Sequence, residues 1–211
     1  MNTPISCVAS DLDFCLTHFG TESLDGFIEL FVFTGVDRRD IMKIEMETER
    51  QRFTFERFFK TFTEQTGIAL DHAALLPQCQ NWLRDSLRFY PDSLSWFTSF
   101  PSPEVPRVIV TYGDQEYQGA KIEMVGLHAV PSHFISFSGE KHVVVRQLLE
   151  QYGPGILFAD DNPLEHDNVR REGMTEHQVR CVRVRREDSP YKNHKSEFPH
   201  EEVRALSEIV V

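Results

Sequence analysis

The sequence predicts an α/β fold in which a parallel sheet is covered by helices on both faces. Short apolar runs of strand length alternate with helical segments, as expected when each strand is joined to the next by a crossover helix. Several of these runs stop at polar residues, which is typical of buried strands that open into loops. The predicted strands span residues 5–10, 107–110, 134–137, 156–159 and 181–184.

Helices are predicted between these strands from apolar periodicity and from the residues that end a helix. The segment 141–152 stops at a Gly-Pro-Gly sequence, and the segment 163–172 is closed by Gly173. The segment 180–186 alternates basic and apolar residues, which predicts a strand with one face in solvent. The complete set of helices predicted after residue 107 is 118–127, 141–152, 163–172 and 199–211.

The stretch from about residue 24 to residue 100 differs from the rest because apolar residues, many of them phenylalanine, recur there at helical spacing. We interpret this pattern as a group of helices packed through aromatic side chains, with a ligand-facing aromatic wall as the alternative. Pro101, Pro103 and Pro106 then mark a linker. The predicted organisation is an α/β core over 1–18 and 101–211, interrupted by a helical unit over 19–100.

Composition excludes several classes of protein. The 211 residues include 22 Lys and Arg against 33 Asp and Glu, and the resulting net charge of −11 disfavours a surface built to bind nucleic acid. No run approaches the roughly 18–20 apolar residues of a membrane span. The first ten residues lack the features of a signal peptide, and the four cysteines form no CxxC pair. We therefore expect a cytoplasmic protein without a membrane or nucleic-acid partner.

Polar residues stand at the ends of three predicted strands. Asp11 and Asp13 follow the first, Thr111 ends the second, and Asp160 and Asp161 follow the fourth. Because ligands bind at the carboxyl ends of the strands in parallel α/β sheets, we expect these residues to converge although about 150 residues separate them.

Several carboxylates at one sheet edge would repel one another unless a cation lay between them. Mg²⁺ suits such a site because it prefers oxygen ligands, and no His or Cys set accompanies these residues. Asp11 and Asp13 point to the same side of an extended segment. Asp11 can then attack an electrophile while Asp13 transfers a proton.

Two further residues are candidates for holding an anionic group at this edge. Thr111 can donate a hydrogen bond to a phosphoryl oxygen, and Lys141 at the start of a predicted helix can supply a positive charge. Lys121 is the alternative lysine, although it lies within a predicted helix.

These residues together resemble the motifs of the haloacid dehalogenase superfamily of phosphohydrolases. Its first motif, DxDx[TV] after an apolar strand, is matched by the sequence from Asp11 to Cys15. Its second and third motifs, a Thr or Ser at a strand end and a Lys, are matched by Thr111 and Lys141. Its fourth motif, an acidic pair after a strand, is matched by Asp160-Asp161. The resemblance covers the whole chain.

The resemblance implies a Rossmann-like core and a helical cap of the C1 type over residues 19–100. It implies that Asp11 is the nucleophile and a Mg²⁺ ligand, and that Asp13 is the acid/base and binds Mg²⁺ through its carbonyl oxygen. Thr111 and Lys141 would hold the phosphoryl group. Asp161 would be the direct metal ligand of the fourth motif, supported by Asp160.

The sequence departs from the family pattern near the nucleophile, where Cys15 replaces Thr or Val and Phe14 stands where Gly is common. The second Asp of the first motif, Asp13, argues against the dehalogenase branch. The expected function is a Mg²⁺-dependent phosphatase acting on a small phosphorylated metabolite. A phosphotransferase or mutase, and a non-catalytic phosphate-binding protein, are the alternatives.

Overall fold

The protein is described here from a computed structural model that covers residues 3–20 and 23–210. Residues 1–2, 21–22 and 211 lie outside the described residues, although the predicted domain ranges include them. Residue 211 is also the last residue of the predicted helix 199–211. The strands are β1 (Cys7–Ser10), β2 (Thr17–Phe19), β3 (Leu87–Phe89), β4 (Arg107–Tyr112), β5 (Ser132–Ile135), β6 (Ile156–Asp160), β7 (Val179–Val184) and β8 (Glu201–Val203).

Eight α-helices and two 3-10 turns accompany these strands in the described part of the chain. The 3-10 turns lie at Val32–Thr34 and Leu206–Glu208. The helices are α1 (Ser23–Glu29), α2 (Arg38–Arg50), α3 (Phe55–Thr66), α4 (His72–Ser86), α5 (Ser93–Ser99), α6 (Gln115–Met124), α7 (Lys141–Tyr152) and α8 (Pro163–Arg171).

The main sheet confirms the predicted fold class. Its strand order is β5-β4-β1-β6-β7-β8, and every neighbouring pair is parallel. β2 and β3 form a separate two-stranded sheet. The strands at the centre of the main sheet are buried along their whole length, which explains why β1 and β6 are continuous apolar runs rather than alternating ones.

The chain divides into two compact units. The first contains the six-stranded sheet and comprises Met1–His18, Phe89–Tyr112 and Gly126–Val211. The second is helical and comprises Phe19–Arg88 and Gly113–Val125. The sequence predicts a core over 1–18 and 101–211 and a helical unit over 19–100, and this division stays a prediction. The two compact units have different bounds, since residues 89–100 belong to the sheet unit and residues 113–125 to the helical unit.

The helical unit has a core built from aromatic side chains. Phe27, Phe31, Phe58, Phe59 and Phe62 are each no more than 1% exposed and lie in one apolar cluster. The ring centroids of Phe27 and Phe58 are 4.9 Å apart in an edge-to-face arrangement, a geometry that aromatic pairs favour. The interpretation of the Phe pattern as helix packing is confirmed for these residues.

The predicted helix over 199–211 is wrong. Residues 201–203 form the edge strand β8, in which Val203 pairs with Val184 of β7, and the following turn is 3-10. Val203, Leu206 and Ile209 recur every three residues, a spacing that a helix shares. Hydrogen bonds to a distant strand decide the outcome, because the backbone N–H of Arg185 donates to the carbonyl of Val203 at 2.8 Å.

Three smaller differences also come from tertiary contacts. The strand predicted over 134–137 is Ser132–Ile135, because Ser132 pairs with Ile109 of β4. α6 begins before residue 118, since the Asp114 side chain caps its first turn. The strand over 180–186 has no fully solvated basic face: Arg183 is 2% exposed, and its guanidinium donates to Glu202 and to the Tyr191 carbonyl.

No helix among residues 3–20 and 23–210 is both long enough and apolar enough to cross a membrane.

Candidate active site

Sheet register brings the first and fourth acidic sequences together. β1 and β6 are adjacent and parallel, with Ser10 opposite Ala159, and the backbone N–H of Asp11 donates to the Ala159 carbonyl at 2.9 Å. Asp11 therefore leaves β1 beside Asp160, the last residue of β6. Oxygens of Asp11, Asp160 and Asp161 lie within 4.8 Å of one another, and all three residues are buried.

Asp11, Asp160 and Asp161 form a carboxylate cluster, and a buried lysine lies against it. The Nζ atom of Lys141 is 2.8 Å from Oδ1 of Asp11 and 2.7 Å from Oδ2 of Asp160. Its side chain is 3% exposed, so these ionic contacts are shielded from water. The alternative lysine, Lys121, has its Nζ in the helical unit, 4.9 Å from the centroid of the Tyr117 ring.

A glutamate that the sequence analysis missed holds Lys141 in place. Both oxygens of the Glu165 carboxylate accept from the backbone: the Gly139 N–H donates at 2.6 Å and the Lys141 N–H at 3.1 Å. Glu165 is buried on the first turn of α8, four residues after Asp161. The sequence feature that could have indicated Glu165 is its position four residues after the acidic pair Asp160-Asp161.

Ser189 is a second residue that the sequence analysis missed. Its Oγ donates to Oδ2 of Asp161, and Ser189 is buried in the segment after β7. No pattern in the sequence marks this serine, because the contact joins residues 28 positions apart.

The remaining predicted residues lie at the same edge of the sheet. Thr111 is 1% exposed in β4, two residues after Ile109, which pairs with Ser10. Asp13 lies in a tight turn that the Thr17 N–H closes by donating to the Leu12 carbonyl at 2.8 Å. Phe14 in this turn has a φ of 56°, which lies in the left-handed region that favours glycine.

Burial and mutual repulsion shift the acid–base properties of the cluster. Burial raises the pKa of Asp11 to about 7, an effect that the Lys141 ammonium partly offsets and that Asp160 reinforces. Burial likewise raises the pKa of Asp160 to about 6 and that of Asp161 well above its usual range. For Lys141, burial opposes the charged form, but the surrounding carboxylates outweigh it and raise its pKa.

The donor set fits a hard divalent cation. Three buried carboxylates and one ammonium leave two negative charges uncompensated when all are ionised, and every candidate ligand atom in the cluster is an oxygen. Mg²⁺ is commonly held by one or two carboxylates together with water and phosphate oxygens. A divalent ion would remove the repulsion that raises the carboxylate pKa values.

The chain is similar in structure to several solved proteins. A protein described as a haloacid dehalogenase-like hydrolase from Burkholderia xenovorans matches with a TM-score of 0.70 and 16% identity, covering 98% of this chain and 94% of the other. A phosphatase of the same superfamily from Thermococcus onnurineus matches with a TM-score of 0.61 and 17% identity, covering 99% and 95%. A hydrolase from Bacillus subtilis, solved with magnesium, gives 0.57 and 13%, covering 98% and 97%.

Solved structures of similar fold also include a dehalogenase, so the fold by itself leaves the reaction open. No protein-family model and no curated protein matches the sequence. The structural matches to the Burkholderia and Thermococcus proteins cover nearly the whole of this chain. The chain therefore has the haloacid dehalogenase-like fold.

Proposed function

We propose that the chain is a Mg²⁺-dependent phosphohydrolase that cleaves a small phosphomonoester through an aspartyl-phosphate on Asp11. The observation that carries this proposal is the contact of the buried Asp11 carboxylate with Lys141, inside a carboxylate cluster at the carboxyl edge of the sheet. This contact supports the proposal because the proposed nucleophile lies beside a fixed cation and beside carboxylate oxygens of the kind that bind Mg²⁺.

Asp11 is oriented for attack through one of its oxygens. Oδ1 accepts from the Leu12 N–H at 2.7 Å and lies 2.8 Å from Lys141 Nζ. Because both of these contacts engage Oδ1, we assign the other carboxylate oxygen, Oδ2, as the atom that attacks phosphorus. The carboxylate must be ionised to attack, and Lys141 favours that form by lowering a pKa that burial raises.

The proposed reaction has two displacements at phosphorus. Asp11 forms an O–P bond while the bond to the leaving alkoxide breaks, and Asp13 donates a proton to that oxygen. Asp13 then takes a proton from water as the water attacks phosphorus, which releases phosphate and regenerates Asp11. Thr111 and Lys141 hold the non-bridging phosphoryl oxygens, where negative charge must be stabilised in the transition state.

Mg²⁺ would be held by Asp11, by the Asp13 carbonyl and by the fourth motif. Both oxygens of Asp160 have partners, since Oδ2 contacts Lys141 and Oδ1 accepts from the Asn162 N–H. For Asp161, the side-chain hydrogen bond found among the described residues is the one that Oδ2 accepts from Ser189. This difference favours Asp161 as the direct ligand, with Asp160 supporting it. The bound ion would supply positive charge that offsets the charge of the phosphoryl group.

The other predictions belong to the same proposal. The substrate is a small phosphorylated metabolite, and we assign residues 19–100 the role of a helical cap that influences substrate choice. We propose action in the cytoplasm, without a nucleic-acid or membrane partner.

Hydrolysis of p-nitrophenyl phosphate tests the proposal directly. We expect turnover that requires Mg²⁺ and falls by at least about 1,000-fold in Asp11→Asn, because removal of a covalent nucleophile eliminates the first displacement. The matched control is Asp85→Asn, which alters an exposed carboxylate on α4.

Other outcomes distinguish the alternatives. Phosphorylated protein that turns over only when a sugar acceptor is added indicates a phosphotransferase or mutase. Release of halide from a 2-haloacid, with no phosphate release, indicates a dehalogenase. Phosphate-ester binding without any turnover in wild type contradicts the catalytic proposal and leaves a binding protein.

A further inference from the structure

Ser189 lies where the loop that follows β7 meets the carboxylate cluster. The residue is buried, and its Oγ atom donates a hydrogen bond to Oδ2 of Asp161. The same Oγ atom accepts a hydrogen bond from the Tyr191 N–H at 2.9 Å. A hydroxyl has a single hydrogen and a backbone N–H can only donate, so the hydrogen of Ser189 is directed at Asp161. The backbone of the loop therefore fixes the polarity of this contact.

The loop that carries Ser189 is held on both sides. After Ser189, the carbonyl of Tyr191 accepts from the Arg183 guanidinium at 2.8 Å. That guanidinium is buried in β7 and also donates to Glu202 of the edge strand β8 at 2.8 Å. Before Ser189, the carbonyl of Arg186 accepts from the Ser189 N–H at 3.3 Å. These contacts keep the hydroxyl beside the carboxylate cluster, because moving the loop would break a charge-assisted hydrogen bond in a buried place.

The hydrogen bond from Ser189 divides the roles of the two oxygens of Asp161. Oδ2 accepts from the hydroxyl, whereas Oδ1 accepts no hydrogen bond from any of the described residues. A cation that used both oxygens would have to displace the hydrogen of Ser189 from Oδ2. The hydroxyl would then be buried without an acceptor, which typically costs about 1–3 kcal/mol. Asp161 is therefore prepared to bind a cation through Oδ1 alone.

Binding through one oxygen separates divalent cations of different size. Mg²⁺ requires a nearly octahedral set of oxygens at roughly 2.0–2.1 Å, in which a carboxylate oxygen fills one position and waters fill others. Ca²⁺ accepts about six to eight oxygens at roughly 2.3–2.6 Å and readily takes both oxygens of one carboxylate. A site that withholds the second oxygen of Asp161 therefore costs Ca²⁺ a ligand while it meets the requirement of Mg²⁺.

We propose that Ser189 is a positioning residue that restricts Asp161 to a single metal-binding oxygen and thereby favours Mg²⁺ over Ca²⁺. This inference rests on the proposed Mg²⁺-dependent function. Ser189 acts through Asp161 rather than on the ion, in the way that residues behind a metal ligand orient it and tune its affinity. The residue lies outside the four motifs and reaches the carboxylate cluster from the loop after β7.

Metal affinity in the absence of substrate tests the proposal. Metal-free protein at pH 8 is titrated with MgCl₂ or CaCl₂, and the rise in Tm gives the Kd of each ion. We expect Ser189→Ala to lower the ratio of the Ca²⁺ Kd to the Mg²⁺ Kd about 10-fold, the size of effect that contacts behind a metal ligand commonly have. Ser189→Thr keeps the hydroxyl and should retain the wild-type ratio. Ser95→Ala, at an exposed serine on α5, is the matched control.

The results separate the role of Ser189 from the chemistry. A general loosening of the loop would weaken both ions equally, so an unchanged ratio of Kd values in Ser189→Ala overturns the inference. If wild type still hydrolyses p-nitrophenyl phosphate with Mg²⁺ in that case, the phosphohydrolase stays intact. If wild type binds Mg²⁺ but hydrolyses nothing, the proposed function fails, and a fall in the ratio in Ser189→Ala still supports the role of Ser189. Wild type that binds neither ion overturns it.

Discussion

Replacing Lys141 with methionine is the sharpest test of the electrostatics of the carboxylate cluster. The substitution keeps an unbranched side chain of similar length but removes the ammonium that lies 2.8 Å from Asp11 and 2.7 Å from Asp160. In metal-free protein at pH 8, the cluster would then hold ionised carboxylates with no buried cation beside them. Breaking a buried ion pair by removing one partner typically costs about 3–5 kcal/mol.

The cost should depend on pH in a defined direction. The pKa of Asp11 is raised from 3.8 to about 7 and that of Asp160 to about 6, so both carboxyls hold protons in the folded state at pH 5. A raised carboxyl pKa contributes stability at low pH that is lost as the pH rises through the folded-state value. Lys141 limits that loss. We therefore expect Lys141→Met to lower the free energy of unfolding by under about 1 kcal/mol at pH 5 and by about 3–5 kcal/mol at pH 8.

Thermal unfolding in EDTA at the two pH values measures this difference. For a chain of this size, 3–5 kcal/mol corresponds to a fall in Tm of roughly 6–20 °C. The matched control is Lys60→Met on α3, where the lysine is 74% exposed and pairs with Glu64 only at 3.8 Å. That variant should stay within about 0.5 kcal/mol of wild type at both pH values. Equal losses for Lys141→Met at pH 5 and pH 8 would refute the electrostatic argument.

Two further predictions concern the metal and the helical unit. Mg²⁺ should raise the Tm of wild type more at pH 8 than at pH 5. The reason is that the ion competes with the proton on Asp11, whose pKa is about 7 in metal-free protein. A Mg²⁺-induced rise in Tm that is larger at pH 5 would contradict a site made of these carboxylates. Phe62→Ala should destabilise the helical unit by about 3–5 kcal/mol, since Phe62 is fully buried among aromatic rings. Phe33→Ala, at a side chain 71% exposed, is its control and should have an effect within about 0.5 kcal/mol in chemical denaturation.

Local patterns predicted much of the fold because the strands of a parallel sheet must be apolar on both faces. The buried strands β1 and β6 were visible as continuous apolar runs for this reason. The helix from Lys141 to Tyr152 was predicted at its observed bounds, because the Gly-Pro-Gly sequence that starts at Gly153 ends it. β8 was not predicted, because three residues at a sheet edge carry little periodicity and acquire their structure from pairing with β7.

The sequence by itself determined the α/β class, the aromatic packing of helices such as α3, and the placement of Asp11, Thr111 and Asp160 at one edge of the sheet. It could do so because hydrophobic periodicity is local and because parallel strands end together. Only the tertiary structure decided which groups meet Lys141, that Glu165 holds its backbone, and that Ser189 reaches Asp161. These contacts depend on through-space distances between loops far apart in the chain, and no local pattern of residues encodes such distances.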